Sequence, residues 1–521
     1  MSDFELILVL LVIVAGIVTV ARRLHIPYPI MLVIGGLIVG FAPGLPRVTL
    51  DPEIVLVVFL PPLILAAAWQ TPIRDLKKNI RPVLSLSVGL VLFTTFLVGL
   101  VAHAIVPGLE LVPALVLGAI VSPPDALAAS TVLQRLSVPR PILRILEQES
   151  LLNDAAALTT YRVAVAAAIT GSFILGDAVA AFIYAAAAGA AIGLVVAVAA
   201  GWLWSRLFDP PVEVTLSLVI PYAVFIPAEH LGASGVIAAV TAGLYLSARS
   251  SRIMAPDARI LAGGVWEIVT FLLNGAAFIL IGLQLPTILD GLADRPADAL
   301  LIQAAVVVMA VIAARFLWVF PATYLRRLFT GSKRRTRALR PSVPLVISWA
   351  GMRGVISLAA ALALPSVFPQ REVIIYLTFA VILATLVGQG LTLPLLVRLV
   401  GLSEGGEVAR EEREARMRAL EAALSELGRL RQRWPDHAPM MNNLELGFAH
   451  RVEHLVEEEA KADGDDEDDE RSEHRAIVSA VINAEREAII GLRDRGVIGD
   501  EVLRRIEREL DLEQLRLESE I

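Results

Sequence analysis

A short polar string lies inside a long apolar run, and its side chains are of the kinds that bind cations or protons. The string is E-S-L-L-N-D, Glu149 to Asp154. In a helix, residues four apart share a face, so Glu149 neighbours Asn153 and Ser150 neighbours Asp154. Charged side chains at bilayer depth are costly unless they are paired or hydrated, and they therefore mark ion or proton pathways. The alternative is a helix start capped by Ser150, which would still leave Asn153 and Asp154 on the entering helix.

The composition predicts an all-α membrane protein with many spans. The chain has 521 residues, of which 56% are hydrophobic, and its mean hydropathy is +0.70. Residues 1–400 form a succession of apolar runs, most of them near the ~20 residues that a bilayer-spanning helix needs. We predict about thirteen transmembrane helices, at roughly 4–21, 27–42, 53–70, 82–106, 111–134, 147–170, 178–206, 213–229, 233–249, 260–285, 299–325, 342–364 and 372–400.

The loops between these spans differ sharply in basic residues. Alternate loops carry 20 Lys and Arg, and the intervening loops carry only Arg47, Arg295 and Arg371. Short cytoplasmic loops are the basic ones, so the N-terminus is expected outside and the C-terminal region in the cytoplasm. The first residues lack the basic segment and cleavage site of a signal peptide, which predicts that the first span is retained.

Charge divides the chain into two parts. Residues 1–400 hold 27 Lys and Arg against 20 Asp and Glu, whereas residues 401–521 hold 18 against 32. We predict a transmembrane domain over 1–402 and an acidic, mainly helical cytoplasmic region over 403–521, with the nearly all-acidic stretch from Asp463 to Glu470 as a linker. The overall net charge of −7 argues against nucleic acid as a partner. The absence of cysteine removes disulfides and thiolate chemistry.

Two spans contain residues that interrupt helices. The fifth holds Ser122-Pro123-Pro124-Asp125, and proline removes a backbone donor and disfavours helix at the residue before it. The twelfth holds Gly351-Met352-Arg353-Gly354. Non-helical backbone at membrane depth occurs only where it lines a cavity in the protein. The two spans are seven apart, which fits an inverted repeat whose discontinuous fifth and twelfth helices cross near the middle of the membrane.

The remaining buried charges need partners. Glu149 is the natural partner of Arg353, and Glu267, with Asn274 seven residues later on the same face, is a candidate for Arg315. These charges are either structural pairs or modulators of a transport site. Arg162 lies two turns beyond Asp154, where it either holds that carboxylate ionised or extends to the outer membrane surface.

No pattern of an enzyme site accompanies these residues. The chain has no G-x-x-x-x-G-K-[ST] loop for ATP, and no histidine lies near Asp125 or Asp154. We therefore predict a protein that is no enzyme and needs no cofactor.

Five strings in order resemble the monovalent cation:proton antiporters of the first cation/proton antiporter family, the sodium/proton exchangers. They are F-L-P-P-L-I-L (59–65), S-P-P-D-A (122–126), E-S-L-L-N-D (149–154), F-L-L-N-G (271–275) and G-M-R-G-V-I-S-L-A-A-A-L-A-L-P (351–365). The resemblance covers essentially all of residues 1–400. It implies secondary antiport of Na⁺, Li⁺ or K⁺ against H⁺ by alternating access, in a homodimer in the plasma membrane, with a role in cytoplasmic pH and sodium homeostasis.

The resemblance also implies roles for single residues. Asp154 would bind the cation or the proton, and Asp125, Ser150 and Asn153 would line the site. Pro124 replaces a frequent threonine of the family and would offer its backbone carbonyl. Asn153 before Asp154 is associated in the family with electroneutral exchange.

The resemblance further implies that Glu149 and Arg353 form an interhelical ion pair. One departure concerns the third span, where the family often has an acid and this chain has Ala66. The preference among cations is therefore open.

Two other transport functions remain open from the residues alone. A cation channel of related architecture would use the broken spans as a filter and would conduct without proton coupling. A carrier of an organic anion would direct helix N-termini or arginines at its substrate, and Arg315 and Arg353 are available for that.

Overall fold

The computed structural model is helical throughout its regular structure, and no strand occurs among the residues it describes. The chain divides into two compact units, Met1–Glu404 and Gly405–Ile521. The described residues are 3–42, 55–134, 136, 138–207, 209–292, 295–329, 341–402, 407–434, 437–460, 480–492, 495, 506, 510 and 514.

Apart from a π-helical turn at Val55–Phe59, directly before α3, the first unit contains sixteen helical elements among its described residues. The first eight are α1 (Asp3–Arg23), α2 (Tyr28–Gly40), α3 (Leu60–Gln70), α4 (Ile73–Ile105), α5 (Leu111–Val121), α6 (Ala126–Gln134), α7 (Arg140–Thr170) and α8 (Leu175–Trp204). The second eight are α9 (Pro210–His230), α10 (Gly235–Ile253), α11 (Pro256–Leu283), α12 (Leu285–Asp290), α13 (Ala297–Phe329), α14 (Ser342–Trp349), α15 (Val355–Leu362) and α16 (Arg371–Val400).

Many of these helices have the length and composition of membrane spans. Seven spans qualify among the described residues, with α5 and α6 counted as one span and α11 and α12 as another. They are α4, α5–α6, α8, α9, α11–α12, α13 and α16. The helices α2 and α3 are apolar but shorter. The polar residues of α7 keep it out of this set, although it is 31 residues long. The first unit is therefore a helical membrane domain.

Both interruptions predicted from proline and glycine are present. Helix α5 ends at Val121 and α6 begins at Ala126, so the four residues Ser122 to Asp125 are non-helical. Helix α14 ends at Trp349 and α15 begins at Val355. A π-helical turn, Ala384–Gln389, lies within α16, and such turns are frequent at functional sites.

The helices of the membrane domain pack into two large apolar clusters. One joins α1, α2, α4 to α6 and α11 to α16, and the other joins α3 and α8 to α11. Helix α7 contributes to both, with Leu146 in the first and Leu151 in the second. Gly118 of α5 lies so close to the backbone of Thr95 on α4 that a methyl group would not fit, which is how small residues let membrane helices approach. Helix α7 therefore packs into both clusters.

The second unit contains two long helices, α17 (Glu407–Arg433) and α18 (Ala438–Ala460). Arg431 near the end of α17 forms an ion pair with Glu445 of α18 at 2.6 Å. Pro439 lies in the first turn of α18, where a missing backbone donor does no harm. Residues 480–492 are also helical. The acidic stretch from Asp463 to Glu470 lies outside the described residues.

Candidate functional site

The two helix interruptions lie against each other. The backbone amide of Asp125 donates a hydrogen bond of 2.6 Å to the carbonyl oxygen of Met352. Gly354 lies so close to the Asp125 carboxylate that a Cβ atom would overlap its Oδ2. The sequence motifs S-P-P-D-A and G-M-R-G thus meet at one point, and glycine is required there because the acid occupies the space.

The Asp125 carboxylate caps the second half of its own broken span. Its Oδ1 accepts hydrogen bonds from the amides of Leu127 at 2.9 Å and Ala128 at 3.5 Å. An acid at a helix N-terminus satisfies free backbone donors and opposes the positive end of the helix dipole. Asp125 therefore holds α6 in position and keeps Oδ2 directed toward Gly354 at the start of α15.

Two buried arginines bind the C-terminal ends of the helices that precede the interruptions, as Asp125 binds the N-terminal end of α6. Arg353 is 1% exposed, and its Nε donates to the carbonyl oxygen of Val121, the last residue of α5, at 3.0 Å. Its Nη1 donates to the carbonyl oxygen of Gly351. Arg315 is also 1% exposed, and its Nε donates to the carbonyl oxygen of Ile347 in α14 at 3.0 Å. Each guanidinium thus satisfies carbonyls that an ending helix leaves free.

The predicted ion pair between Glu149 and Arg353 is wrong in its basic partner. Both oxygens of Glu149 accept from Arg315, at 2.6 Å from Nη1 and 2.9 Å from Nη2. The physical reason is that the carbonyls at the break already engage Arg353, whereas Arg315 presents two free donors to the acid. The expected pairing of Arg315 with Glu267 is also wrong, because the donors of Arg315 bind Glu149 and the carbonyl oxygen of Ile347. Glu267 is exposed at the surface of a cavity.

Asn153 and Asp154 follow on the same helix and point to different surroundings. Asn153 is fully buried, and its Nδ2 donates to the carbonyl oxygen of Pro124 at 3.1 Å. This bond joins α7 to the break in the fifth predicted span. Asp154 is 7% exposed, and within the described part of the chain its carboxylate has no hydrogen bond or ion pair. Asp154 thus differs from Asn153, whose amide is bound to the broken span.

A cavity of about 490 Å³ leads to Asp154. Asp125, Ser150 and the Pro124 backbone segment line it together with Asp154, as do Ala66 and Asn274. The lining includes two further acids, Glu147 and Glu267, and no lysine or arginine among the described residues. The structure therefore brings the predicted acids, hydroxyl and broken backbone to one negatively charged cavity.

The cavity wall reaches the end of the membrane domain where the basic loops lie. Its lining extends to Gln70 at the end of α3 and to Gln134 at the end of α6. The basic segments that contain Arg74 and Arg140 follow these two helix ends. The cavity that Asp154 lines therefore extends toward the side that the loop charges predict to be cytoplasmic.

Comparison with known proteins agrees with this arrangement. The sequence profile described as "Sodium/hydrogen exchanger, transmembrane" matches residues 8–399. The chain belongs to the sodium/hydrogen exchanger family. It is 33% identical over 529 residues to an uncharacterized Na⁺/H⁺ exchanger of Mycobacterium tuberculosis, covering 99% of this chain and 96% of that one. This exchanger family consists of transporters, so the prediction that the protein is no enzyme is confirmed.

Two further similarities bear on ions and on fold. A sodium, potassium, lithium and rubidium/H⁺ antiporter of Bacillus pumilus is 31% identical over 414 residues, which are 76% of this exchanger and 61% of that protein. The structure of the sodium proton antiporter MjNhaP1 from Methanocaldococcus jannaschii superposes with a TM-score of 0.59 at 20% identity, covering 76% of this chain and 98% of that one. The exchanger thus has the fold of a known multi-pass antiporter.

Arg162 of this exchanger pairs with a residue that the sequence analysis did not consider. Its guanidinium forms an ion pair with Oε2 of Glu229 near the end of α9. Oε1 of Glu229 accepts from the amide of Gly235 at 2.9 Å, which anchors the acid at the corner between α9 and α10. Arg162 therefore does not neutralise Asp154. It lies eight residues farther along α7, or about 12 Å, away from the cavity opening.

Three other residues of the exchanger support the site without having been predicted. Thr385, in the π-helical turn of α16, accepts a hydrogen bond from the amide of Arg353 at 3.1 Å. Ser87 of α4 donates to the carbonyl oxygen of Glu149 at 2.9 Å. Tyr28 of α2 lines the cavity and packs against Phe271 of α11. None of them belongs to a polar string, so no local signal in the sequence distinguished them.

Proposed function

We propose that this exchanger carries a monovalent cation and protons in opposite directions, and that both compete for Asp154. The observation that carries this proposal is the acidic cavity ending at an Asp154 carboxylate without a protein partner. If Asp154 binds either a cation or a proton, and only the occupied states cross the membrane, the gradient of one ion drives the other. No separate energy source is needed.

The oxygens around Asp154 suit a dehydrated alkali cation. Asp125, Ser150 and the carbonyl oxygen of Pro124 supply them in this proposal, and Asn153 positions the Pro124 carbonyl through its 3.1 Å hydrogen bond. Cations of this kind prefer carboxylate, carbonyl and hydroxyl oxygens. The ion pair of Glu149 with Arg315 then holds α7 against α13 and takes no direct part in cation binding.

Sodium is the first candidate for the cation, with lithium and potassium next. The relative from Mycobacterium tuberculosis is described as a Na⁺/H⁺ exchanger, and the one from Bacillus pumilus as an antiporter of sodium, potassium, lithium and rubidium. Ala66 lies on the cavity wall and is 7% exposed. A carboxylate at that position would add charge beside the cation, so its replacement by a methyl group favours a broader choice of ion.

We further propose thirteen membrane spans with the N-terminus outside and the second unit in the cytoplasm of a plasma membrane. The basic loops and the direct bond between the two interruptions support this arrangement and an inverted repeat. The exchanger would act as a homodimer, and its acidic C-terminal region would be regulatory. Exchange would be electroneutral, since the residue before Asp154 is Asn153 and not a second acid, and would serve pH and sodium homeostasis.

Exchange in lipid vesicles tests the central proposal. Purified protein is reconstituted, internal pH is followed on addition of Na⁺, Li⁺ or K⁺, and the membrane potential is clamped or left free. We expect cation-dependent proton efflux that ignores the potential, and its loss in Asp154→Asn. Asp177→Asn, the same change at an exposed acid in the first turn of α8, should keep the wild-type rate.

Two results would contradict the proposal. Wild-type exchange by Asp154→Asn would remove that residue from the mechanism. Cation flux that follows the potential and moves no protons would identify a channel.

A further inference from the structure

One buried hydroxyl on the cavity wall has no role in the site described so far. Ser357 belongs to α15, three residues beyond Gly354, and is 2% exposed. It lines the same cavity as Asp125 and Asp154. Its hydroxyl oxygen is buried and has no hydrogen-bond partner. A buried polar group without a partner destabilises the protein, and a bound ligand that contacts it would offset that cost.

Most hydroxyl groups on the cavity wall are already engaged. Thr71, Ser130, Thr131 and Thr270 each donate to a carbonyl of their own helix, three or four residues earlier. In the described part of the chain, Ser150 and Ser357 are the two serine or threonine residues on the cavity wall without such a bond. Ser150 is a proposed cation ligand on other grounds. Ser357 also lacks such a bond and also lies on the cavity wall.

Burial without a partner does not single out Ser357 by itself. Other buried side chains with an unpartnered polar atom include Thr94, Ser348 and Thr378. Among the residues with such an atom in the described part of the chain, Ser357 alone lines the cavity. Ser357 also lies near the N-terminus of α15, and that helix end faces the Asp125 carboxylate. Its position therefore places it close to a second proposed ligand of the cation.

We propose that Ser357 supplies a hydroxyl oxygen to the transported cation. This inference rests on the proposed function and names a ligand from α15, so that both broken spans and α7 contribute oxygens. A neutral oxygen strengthens cation binding without adding a competing negative charge. Ser357 thereby replaces part of the coordination that an acid at Ala66 would give, and it helps to determine which cation is carried.

The test compares Ser357→Ala and Ser357→Cys with Ser348→Ala in the full-length protein. Ser348 is a matched control because it is fully buried and has an unpartnered hydroxyl in the neighbouring half-helix, but does not line the cavity. In vesicles, both Ser357 variants should raise the apparent KM for Na⁺ by about tenfold, as expected for losing one contact to a charged group, with little change in maximal rate. Ser348→Ala should keep the wild-type KM.

Cation binding is also measured without transport, as the Na⁺ or Li⁺ concentration that half-maximally raises the unfolding temperature in detergent. Ser357→Ala should shift this concentration upward and Ser348→Ala should not. Equal midpoints for the two variants, or a KM of Ser357→Ala equal to that of wild type, would overturn the inference. A wild type that moves no protons but is stabilised by Na⁺ through Ser357 would instead refute the proposed exchange and keep the ligand. No cation-dependent stabilisation together with no exchange would refute both.

Discussion

The ion pair between Arg162 and Glu229 should control access to the cation site from the side opposite the cavity opening. Arg162 lies on α7, the helix that carries Asp154, and Glu229 is anchored at the corner of α9 and α10. If α7 moves relative to that corner during alternating access, as the proposed exchange requires, the pair must open in each cycle. A covalent link between the two positions should therefore stop transport.

The size of the effect depends on how the pair is perturbed. The Arg162 and Glu229 side chains are 46% and 28% exposed. Exposed ion pairs contribute about 0.2–1 kcal/mol, so Arg162→Ala should change the balance between the two facing states by about fivefold at most. A covalent bridge is permanent on the time scale of transport. It should reduce exchange to the background of empty vesicles.

The chain has no native cysteine, so a thiol-specific cross-linker reacts only at the introduced positions. Arg162→Cys/Glu229→Cys is joined with a short bis-methanethiosulfonate, because two long side chains can pair across a distance that a direct disulfide does not span. Reduction should restore exchange. The control is Asp75→Cys/Arg144→Cys, which replaces a 2.6 Å ion pair between α4 and α7 with 19% and 45% exposed side chains. Bridging that pair should leave the rate unchanged, since Ser87 and Glu149 already hold α4 to α7. Undiminished exchange by the bridged Arg162/Glu229 variant would refute the reasoning.

Two further predictions concern the buried charges and the contact between the interruptions. Glu149→Gln leaves the Arg315 charge buried without its acid, which costs about 3–5 kcal/mol, so the unfolding temperature in detergent should fall clearly below that of wild type. An unchanged temperature would show that the pair adds no stability. Gly354→Ala places a methyl group against the Asp125 carboxylate and should abolish exchange, measured in vesicles on protein that still purifies as a single species. Gly388→Ala, where the added atom meets nothing within 4 Å, should exchange normally.

The sequence predicted the features that depend on local chemistry. Pro123 and Pro124 cannot continue a helix, and the glycines Gly351 and Gly354 do not hold one, so both interruptions could be located without coordinates. The four-residue spacing from Ser150 to Asp154 is a property of any helix. For this reason the cavity-lining side of α7 was predictable, and the structure has both residues on the cavity wall.

The choice of partner for each buried charge was not predictable, because it depends on which helix ends approach which side chains. Nothing local shows that α5 ends beside Arg353, or that Arg315 of α13 reaches Glu149 across the interior. The pair of Arg162 with Glu229 joins residues 67 positions apart. The predicted pairs of Arg353 with Glu149 and of Arg315 with Glu267 failed because backbone carbonyls bind Arg353 and because Glu149 binds Arg315.

These outcomes explain why the charges at the interruptions do not compete with the transported ion. Arg353 and Arg315 oppose the negative ends of α5 and α14, and Asp125 opposes the positive end of α6 through two amides. Each of these charges is bound in place by the backbone that the interruption exposes. Asp154 is different, since it faces the cavity without a partner in the described part of the chain. The broken helices therefore fix the charges around the site and leave unpaired the Asp154 carboxylate, for which a cation and a proton compete in the proposed exchange.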